Sequence, residues 1–323
     1  MNTTTPPQTP KRPKPLKPVQ LVGEVALAED APEEIMGLPG MLSLKERQML
    51  FALGRDHYSG NGQIIDAGSF MGCSTSCLAA GVKAGQQAPE KQIHAYELGI
   101  LPAPANGQTI IRKFGDIKYE QGKSFVPILK DTIKPWWGYI DLNVGDILQE
   151  NWDGDDIEIC FVDVCKTPEL NAHVTRQFFP SIPVGGYLVN QDFFFDRLPY
   201  VKVTMGYLSE YFEWVGRVYT SSIWRCVKQV PQDVADYDPY LEKDPKCREY
   251  HEMTVYDDLG KDALFMLDLS LSYLTGEGLD ELEGKHHEFI EHNATVWEGR
   301  EGKRRDARFR IERARKLIAE GNI

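Results

Sequence analysis

No run of apolar residues in this chain approaches the roughly 20 that a membrane-spanning helix needs, and the longest, such as Ile157 to Val164, are interrupted within about eight. No transmembrane helix and no membrane association are expected. Positive charge is scarce as well. With 36 basic against 48 acidic residues the net charge is -12, which repels phosphate backbones and anionic lipid and argues against non-specific nucleic-acid binding. Cysteine pairs at the tightest metal-binding spacing are missing, and a zinc reading is weak. Cys73, Cys77, Cys160, Cys165, Cys226 and Cys247 include no Cys-x-x-Cys, so reduced, mostly buried thiols are the default reading. The basic N-terminus (Lys11, Arg12, Lys14, Lys17) has no apolar stretch behind it and lacks the middle region of a secretory signal. A cytoplasmic location is the expectation.

What is present divides the chain into three regions. Residues 1–20 hold six prolines and four basic residues with almost no large apolar side chain, a mix that cannot offset the entropy of ordering. A disordered tail is expected there. Ser43 with Glu46 three residues on forms a capping box that opens a helix carrying Met49, Leu50 and Leu53, within a main domain expected over 36–230. From residue 63 short β-rich runs alternate with helical stretches, which signals a parallel sheet with crossover helices. The pattern predicts strands over 63–67, 92–97, 139–143, 157–162 and 187–190, and helices over 74–83, 119–132 and 168–179. Two further apolar runs, 212–219 and 222–228, are separated only by Thr220 and Ser221. That gap is too short for a parallel crossover, so they must form a hairpin.

Beyond Pro231 the texture turns charged and then helical. Leu264, Leu267, Leu271 and Leu274 recur at helical spacing, as do Ala307, Ile311, Ala314 and Ile318. The region 231–323 therefore reads as a C-terminal helical extension, whose stripes pack either on the main domain or on a second subunit of a homo-oligomer. The whole is an α/β fold: a Rossmann-like, mostly parallel seven-stranded sheet with an antiparallel final hairpin, plus that extension. An ordinary dinucleotide-binding fold would instead need a sixth parallel strand.

The chemistry-bearing residues cluster at strand ends. Ile64-Ile65-Asp66-Ala67-Gly68-Ser69-Phe70-Met71-Gly72-Cys73-Ser74-Thr75 is an apolar strand running into a glycine turn and a helix start. Gly68 and Gly72 let backbone approach a ligand closely, while Ser74 and Thr75 can cap a helix whose N–H groups attract an anionic group. The spacing is Gly-x-x-x-Gly rather than the Gly-x-Gly-x-x-Gly of pyrophosphate binders. His94-Ala95-Tyr96-Glu97 ends the second strand with an acid placed to accept from two ribose hydroxyls. Asp146 follows the third strand, and two roles stand for it: contact with an adenine amino group, or a helix cap.

Together with Phe161-Val162-Asp163-Val164-Cys165-Lys166 and Gly185-Gly186-Tyr187-Leu188-Val189-Asn190-Gln191-Asp192, these segments resemble the class I S-adenosylmethionine (SAM) dependent methyltransferases. Within that class the resemblance is to a bacterial branch related to macrocin and catechol O-methyltransferases, over roughly residues 36 to 230. It implies SAM as cofactor, held by Asp66, Gly68, Ser69, Phe70, Gly72, Ser74, Thr75, Glu97, Asp146 and Asp163, and O-methylation of a small-molecule or carbohydrate hydroxyl.

Catechol-type relatives place an aspartate at the fourth strand, a lysine base three positions on, and an Asp-Asn pair after the fifth strand, with magnesium between. Asp163, Lys166 and Asp192 match by position, with Asp163 and Asp192 as candidate Mg2+ ligands, but Phe193 stands where the asparagine belongs. As a base Lys166 needs a lowered pKa; otherwise it is an exposed lysine at a helix start, and Asp163 a helix cap. His173, His286, His287 and His292 are expected outside the chemistry. Phe193, Phe194, Phe195, Trp214 and Trp224 are either acceptor-pocket wall or aromatic core. Two rival functions remain at this level, an NAD-dependent oxidoreductase and a non-catalytic interaction protein built on the same fold.

Overall fold

The structure is a computed structural model, described here over residues 25–101, 122–298 and 305–321. The proline-rich segment 1–20 lies outside the described residues. The chain divides into two compact units, one ending at Asp258 and one starting at Leu259.

The first unit is built on seven strands: β1 (Gln63–Ala67), β2 (Ile93–Glu97), β3 (Ile140–Val144), β4 (Ile157–Val162), β5 (Tyr187–Asn190), β6 (Phe212–Val218) and β7 (Ser221–Cys226). Their order is β3-β2-β1-β4-β5-β7-β6. The first five are mutually parallel, β7 lies antiparallel to β5, and β6 pairs with β7 as a tight hairpin with Val218 opposite Ser221. The expected sheet and hairpin are both present. Between β1 and β4 the strand order reverses, and the carboxyl ends of strands flanking such a switch point form a crevice.

Among the described residues, helices α1 (Glu33–Met36), α2 (Leu44–Ala52), α3 (Cys73–Ala84), α4 (Val126–Ile133), α5 (Pro168–Phe178), α6 (Pro199–Tyr207), α7 (Gln232–Asp236) and α8 (Cys247–Glu252) belong to this unit. The capping box forms as its residues require: Ser43 N donates to Glu46 Oε2 at 2.8 Å and Glu46 N to Ser43 Oγ at 3.3 Å. One core joins α2 and α3 to the sheet through Met49, Leu50, Leu53, Leu78, Ile64, Phe161 and Val189. Three differences from the sequence reading stand out. α4 begins at Val126, and Ser124 ahead of it bridges Ile100; of the helix expected over 119–132, residues 119–121 lie outside the described part. The helix α6 was not foreseen between β5 and β6. The compact unit also runs on to Asp258, past the change of texture at Pro231, where Tyr207 of α6 packs at a tilt on Tyr237 beside α7 and edge-on against Tyr250 of α8.

The second unit holds α9 (Lys261–Thr275), α10 (Leu279–Lys285), α11 (His287–Trp297) and α12 (Ala307–Ala319). Ile311 and Ala314 of α12 are buried with Phe265, Leu269, Tyr273, Leu282 and Phe289, so this stripe is covered inside its own unit. In α9 the buried face is carried by Phe265, Leu267, Leu269 and Tyr273, while Leu264, Leu271 and Leu274 are half-buried. The helix is apolar on nearly every side, so leucine spacing alone set the face about one residue off.

Candidate active site

The turn after β1 sits at the switch point. Gly68 has φ +101°, and a Cβ there would lie 3.0 Å from the Asp163 carbonyl carbon, so the β1 and β4 loops meet backbone to backbone. Gly72, at φ +88°, is the N-cap of α3 and leaves that helix start without a side-chain cap. The sequence assigned that task to Ser74 and Thr75, and the structure corrects it. Ser74 Oγ donates to Asp66 Oδ2 at 2.9 Å and Thr75 Oγ1 donates to the same oxygen at 2.5 Å. Asp66 is fully buried, and a buried carboxylate must collect donors. Burial pushes its pKa up to about 6 even so, against the lowering pull of the two hydroxyls. Among the described residues its Oδ1 meets no hydrogen-bond partner.

Glu97, at the end of β2, fastens two loops. Its Oε2 accepts from Phe70 N at 2.5 Å and its Oε1 from Gly99 N at 3.0 Å. Burial raises its pKa, opposed by those backbone donors. Two adjoining hollows open beside it. One of about 310 Å3 is lined by Gly68, Ser69, Phe70, Ser74, Asp163 and Lys166, among others. Its neighbour, about 380 Å3, is lined by Gly68, Glu97, Asp146, Ile147, Leu148 and Leu170, among others. Each falls in the size range of ligand pockets. Of the two roles left open for Asp146 the structure shows the cap: its Oδ1 accepts from Leu148 N at 3.1 Å at the start of the single turn Ile147–Gln149, and the residue also stands on the rim of the second hollow. The arrangement is an apolar chamber, an acid between the two chambers and a glycine turn beyond.

Asp163, Lys166 and Asp192 converge as the sequence implied. Lys166 Nζ donates to Asp163 Oδ1 at 2.6 Å and to Asp192 Oδ2 at 2.8 Å. The lowered pKa that a lysine base needs is absent. Desolvation would depress Lys166, but the two carboxylates outweigh it and hold the ammonium protonated. Asp163 is instead pushed up to about 7: desolvation leads, Lys166 pulls it back down, and the Asp192 charge adds to the rise. These residues do not fit a magnesium site. The gap between the carboxylates is closed by the chain's own ammonium, Phe193 adds no oxygen, and no group of three or more His, Cys, Asp or Glu suited to a metal occurs among the described residues.

Two features escaped the sequence reading. Residues Gly40, Met41 and Leu42 form one wall of the first hollow. They are held by Arg47, whose buried guanidinium donates to the carbonyls of Ile35, Met36, Leu38 and Leu42. Glu46 is 1% exposed and, besides capping α2, accepts from Ser221 Oγ at 2.8 Å in the hairpin turn. An arginine and a glutamate in a helical first turn read as solvent-facing, and nothing local signals their burial. Three of the five aromatic residues resolve to core, while Phe195 and Trp214 are half-buried. Phe193, Phe194 and Trp224 are buried, Trp214 stacks on Tyr256 at 4.6 Å, and none lines either hollow. His173, His286, His287 and His292 also stand outside both hollows.

No family model matches the chain, and no curated protein does. Among solved structures it is similar to the O-methyltransferase NovP, with 12% identity over 60% of this chain and 87% of that one and a TM-score of 0.45. It is also similar to CalS11, described as a TDP-rhamnose 3'-O-methyltransferase of calicheamicin biosynthesis, with 14% identity over 56% of this chain and 78% of that one and a TM-score of 0.40.

Proposed function

We propose that this chain is a SAM-dependent methyltransferase that methylates a hydroxyl of a small molecule or sugar unit. The observation that carries the reading is the paired hollow at the β1/β4 switch point, with Glu97 between the chambers and the Asp163–Lys166–Asp192 cluster at one end. Asp146 and the apolar chamber around Ile147, Leu148 and Leu170 suit an adenine, Glu97 the ribose hydroxyls, and the Gly68–Gly72 turn the amino-acid tail. Bound there, SAM supplies an electrophilic methyl group on sulfur, open to in-line attack by an acceptor oxygen.

The protein's part is to align that oxygen and take its proton. Asp163, with a pKa near neutrality, is the group able to accept the proton at its carboxylate during attack. Lys166 stays charged and orients Asp163 against Asp192. This replaces the lysine-base assignment that the resemblance implied. No step needs a divalent ion.

Titration calorimetry of the purified chain with SAM, S-adenosylhomocysteine and NAD tests the reading. Binding of the first two and not the third is expected. Binding of NAD alone, or of none, defeats it.

A further inference from the structure

Lys202 is fully buried, four residues into α6. A cation in a helix's opening turns opposes the helix dipole, and a buried ammonium is tolerated only where acceptors surround it. The acceptors here are specific. Nζ donates to the carbonyl of Phe195 at 2.6 Å and to that of Leu198 at 3.1 Å, and lies 5.7 Å from the centre of the Phe193 ring. Burial depresses its pKa to about 7, against the raising influence of Asp196, itself fully buried, and of Asp192.

The residues it grips belong to the turn that presents Asp192. That aspartate has φ +59°, a left-handed backbone that a non-glycine residue holds only when its surroundings impose it. Its carbonyl accepts from Phe195 N at 2.8 Å. Phe195 therefore holds Asp192 through its N–H while Lys202 holds Phe195 through its C=O. The same turn is fixed on its other side where Phe194 N donates to Thr220 O at 3.2 Å. A methionine would fill the space of the lysine stem and leave the carbonyls of Phe195 and Leu198 without this donor.

We propose that Lys202 is a positioning residue, its ammonium locking the 191–198 turn so that Asp192 meets Lys166. The functional weight of this latch rests on the methyltransferase reading of the Asp163–Lys166–Asp192 cluster, but the latch itself is measurable without cofactor or acceptor. Hydrogen–deuterium exchange is compared between wild type and Lys202→Met. Amides over 191–198 should exchange at least about tenfold faster in the variant, with β5 (Tyr187–Asn190) and α5 unchanged. Where wild type turns over, kcat should fall with the KM for SAM held within about twofold, since Lys202 touches neither hollow. Unchanged exchange over 191–198 overturns the proposal, and so does a uniform rise that includes β5 and α5, which marks a general packing role. Should Lys202→Met fail to fold, Lys202→Gln, which can still donate to one carbonyl, is read the same way and should show a smaller local rise. A wild type that binds no SAM defeats the methyltransferase reading and leaves the latch standing.

Discussion

The amide of Phe70 donates to Glu97 Oε2 at 2.5 Å, tying the turn after β1 to the carboxyl end of β2. Glu97 thus shapes the hollow before any ligand arrives, because the turn proposed to take the amino-acid tail hangs from the acid proposed for the ribose. Each of its oxygens spends one acceptor position on a backbone N–H. A carboxylate offers about four such positions, so acceptor capacity remains for a diol.

Glu97→Ala removes both functions together. A hydrogen bond to a charged group contributes about 1.5–3 kcal/mol, so loss of the ribose contacts and a loosened turn should raise the Kd for SAM roughly 10- to 100-fold or more. Glu97→Gln keeps one acceptor oxygen and should fall between. Calorimetry on the three proteins measures this, and equal affinity in wild type and Glu97→Ala removes the ribose assignment.

The pKa of Asp163 gives turnover a direction with pH. A base must be ionised to accept a proton, and Asp163 ionises about pH 7 instead of near its ordinary 3.8. Turnover should therefore climb about tenfold per pH unit below 7 and level off above it. Asp163→Asn should cost at least about a hundredfold in kcat and flatten that slope. A profile already level at pH 5.5 places the base elsewhere.

Lys166 fills the place a cation would take between Asp163 and Asp192, which makes the chain's need for metal testable. Turnover should survive exhaustive dialysis against a chelator, and added magnesium should not raise it. Lys166→Met strips the ammonium from two facing carboxylates, which pushes the Asp163 pKa further up. The alkaline plateau should then move to higher pH, with little change in SAM affinity. Activity abolished by chelation and restored by magnesium would show the lysine side chain displaced by metal in the working enzyme.

How far the sequence carries differs by level. Strand positions were legible because β-rich runs such as Ile64-Ile65 and Ile157–Val162 sit between turn residues, and the two-residue gap at Thr220–Ser221 admits only a hairpin. Convergence of Asp163 and Asp192 followed from their ending neighbouring strands, which pair in register from Ile159 with Tyr187 to Val162 with Asn190. What the side chains do there was not legible. Whether Ser74 caps a helix or serves Asp66, and whether Lys166 is neutral or held charged, depends on partners brought in from elsewhere in the chain. Lys202 shows the limit most clearly, since its partners are backbone carbonyls, and every residue type supplies those.

Asp66 and Thr75 provide a test of the fold beneath the site. Asp66 has a folded-state pKa of about 6 against an ordinary 3.8. Between these values the folded chain keeps a proton that the unfolded chain has released. The contribution is fully present below about pH 4 and is lost as pH rises through 6, a change of roughly 3 kcal/mol for a group so completely buried. Thr75 Oγ1 donates to the carboxylate that forms above that pH. Thr75→Val preserves the shape and deletes the donor, so it should cost about 1–3 kcal/mol at pH 8. At pH 5, where Asp66 is mostly protonated, the cost should be clearly smaller. Urea unfolding of wild type and Thr75→Val at both pH values reads the difference directly. An identical loss at pH 5 and pH 8 would mean that the hydroxyl packs beside Asp66 without sustaining its charge.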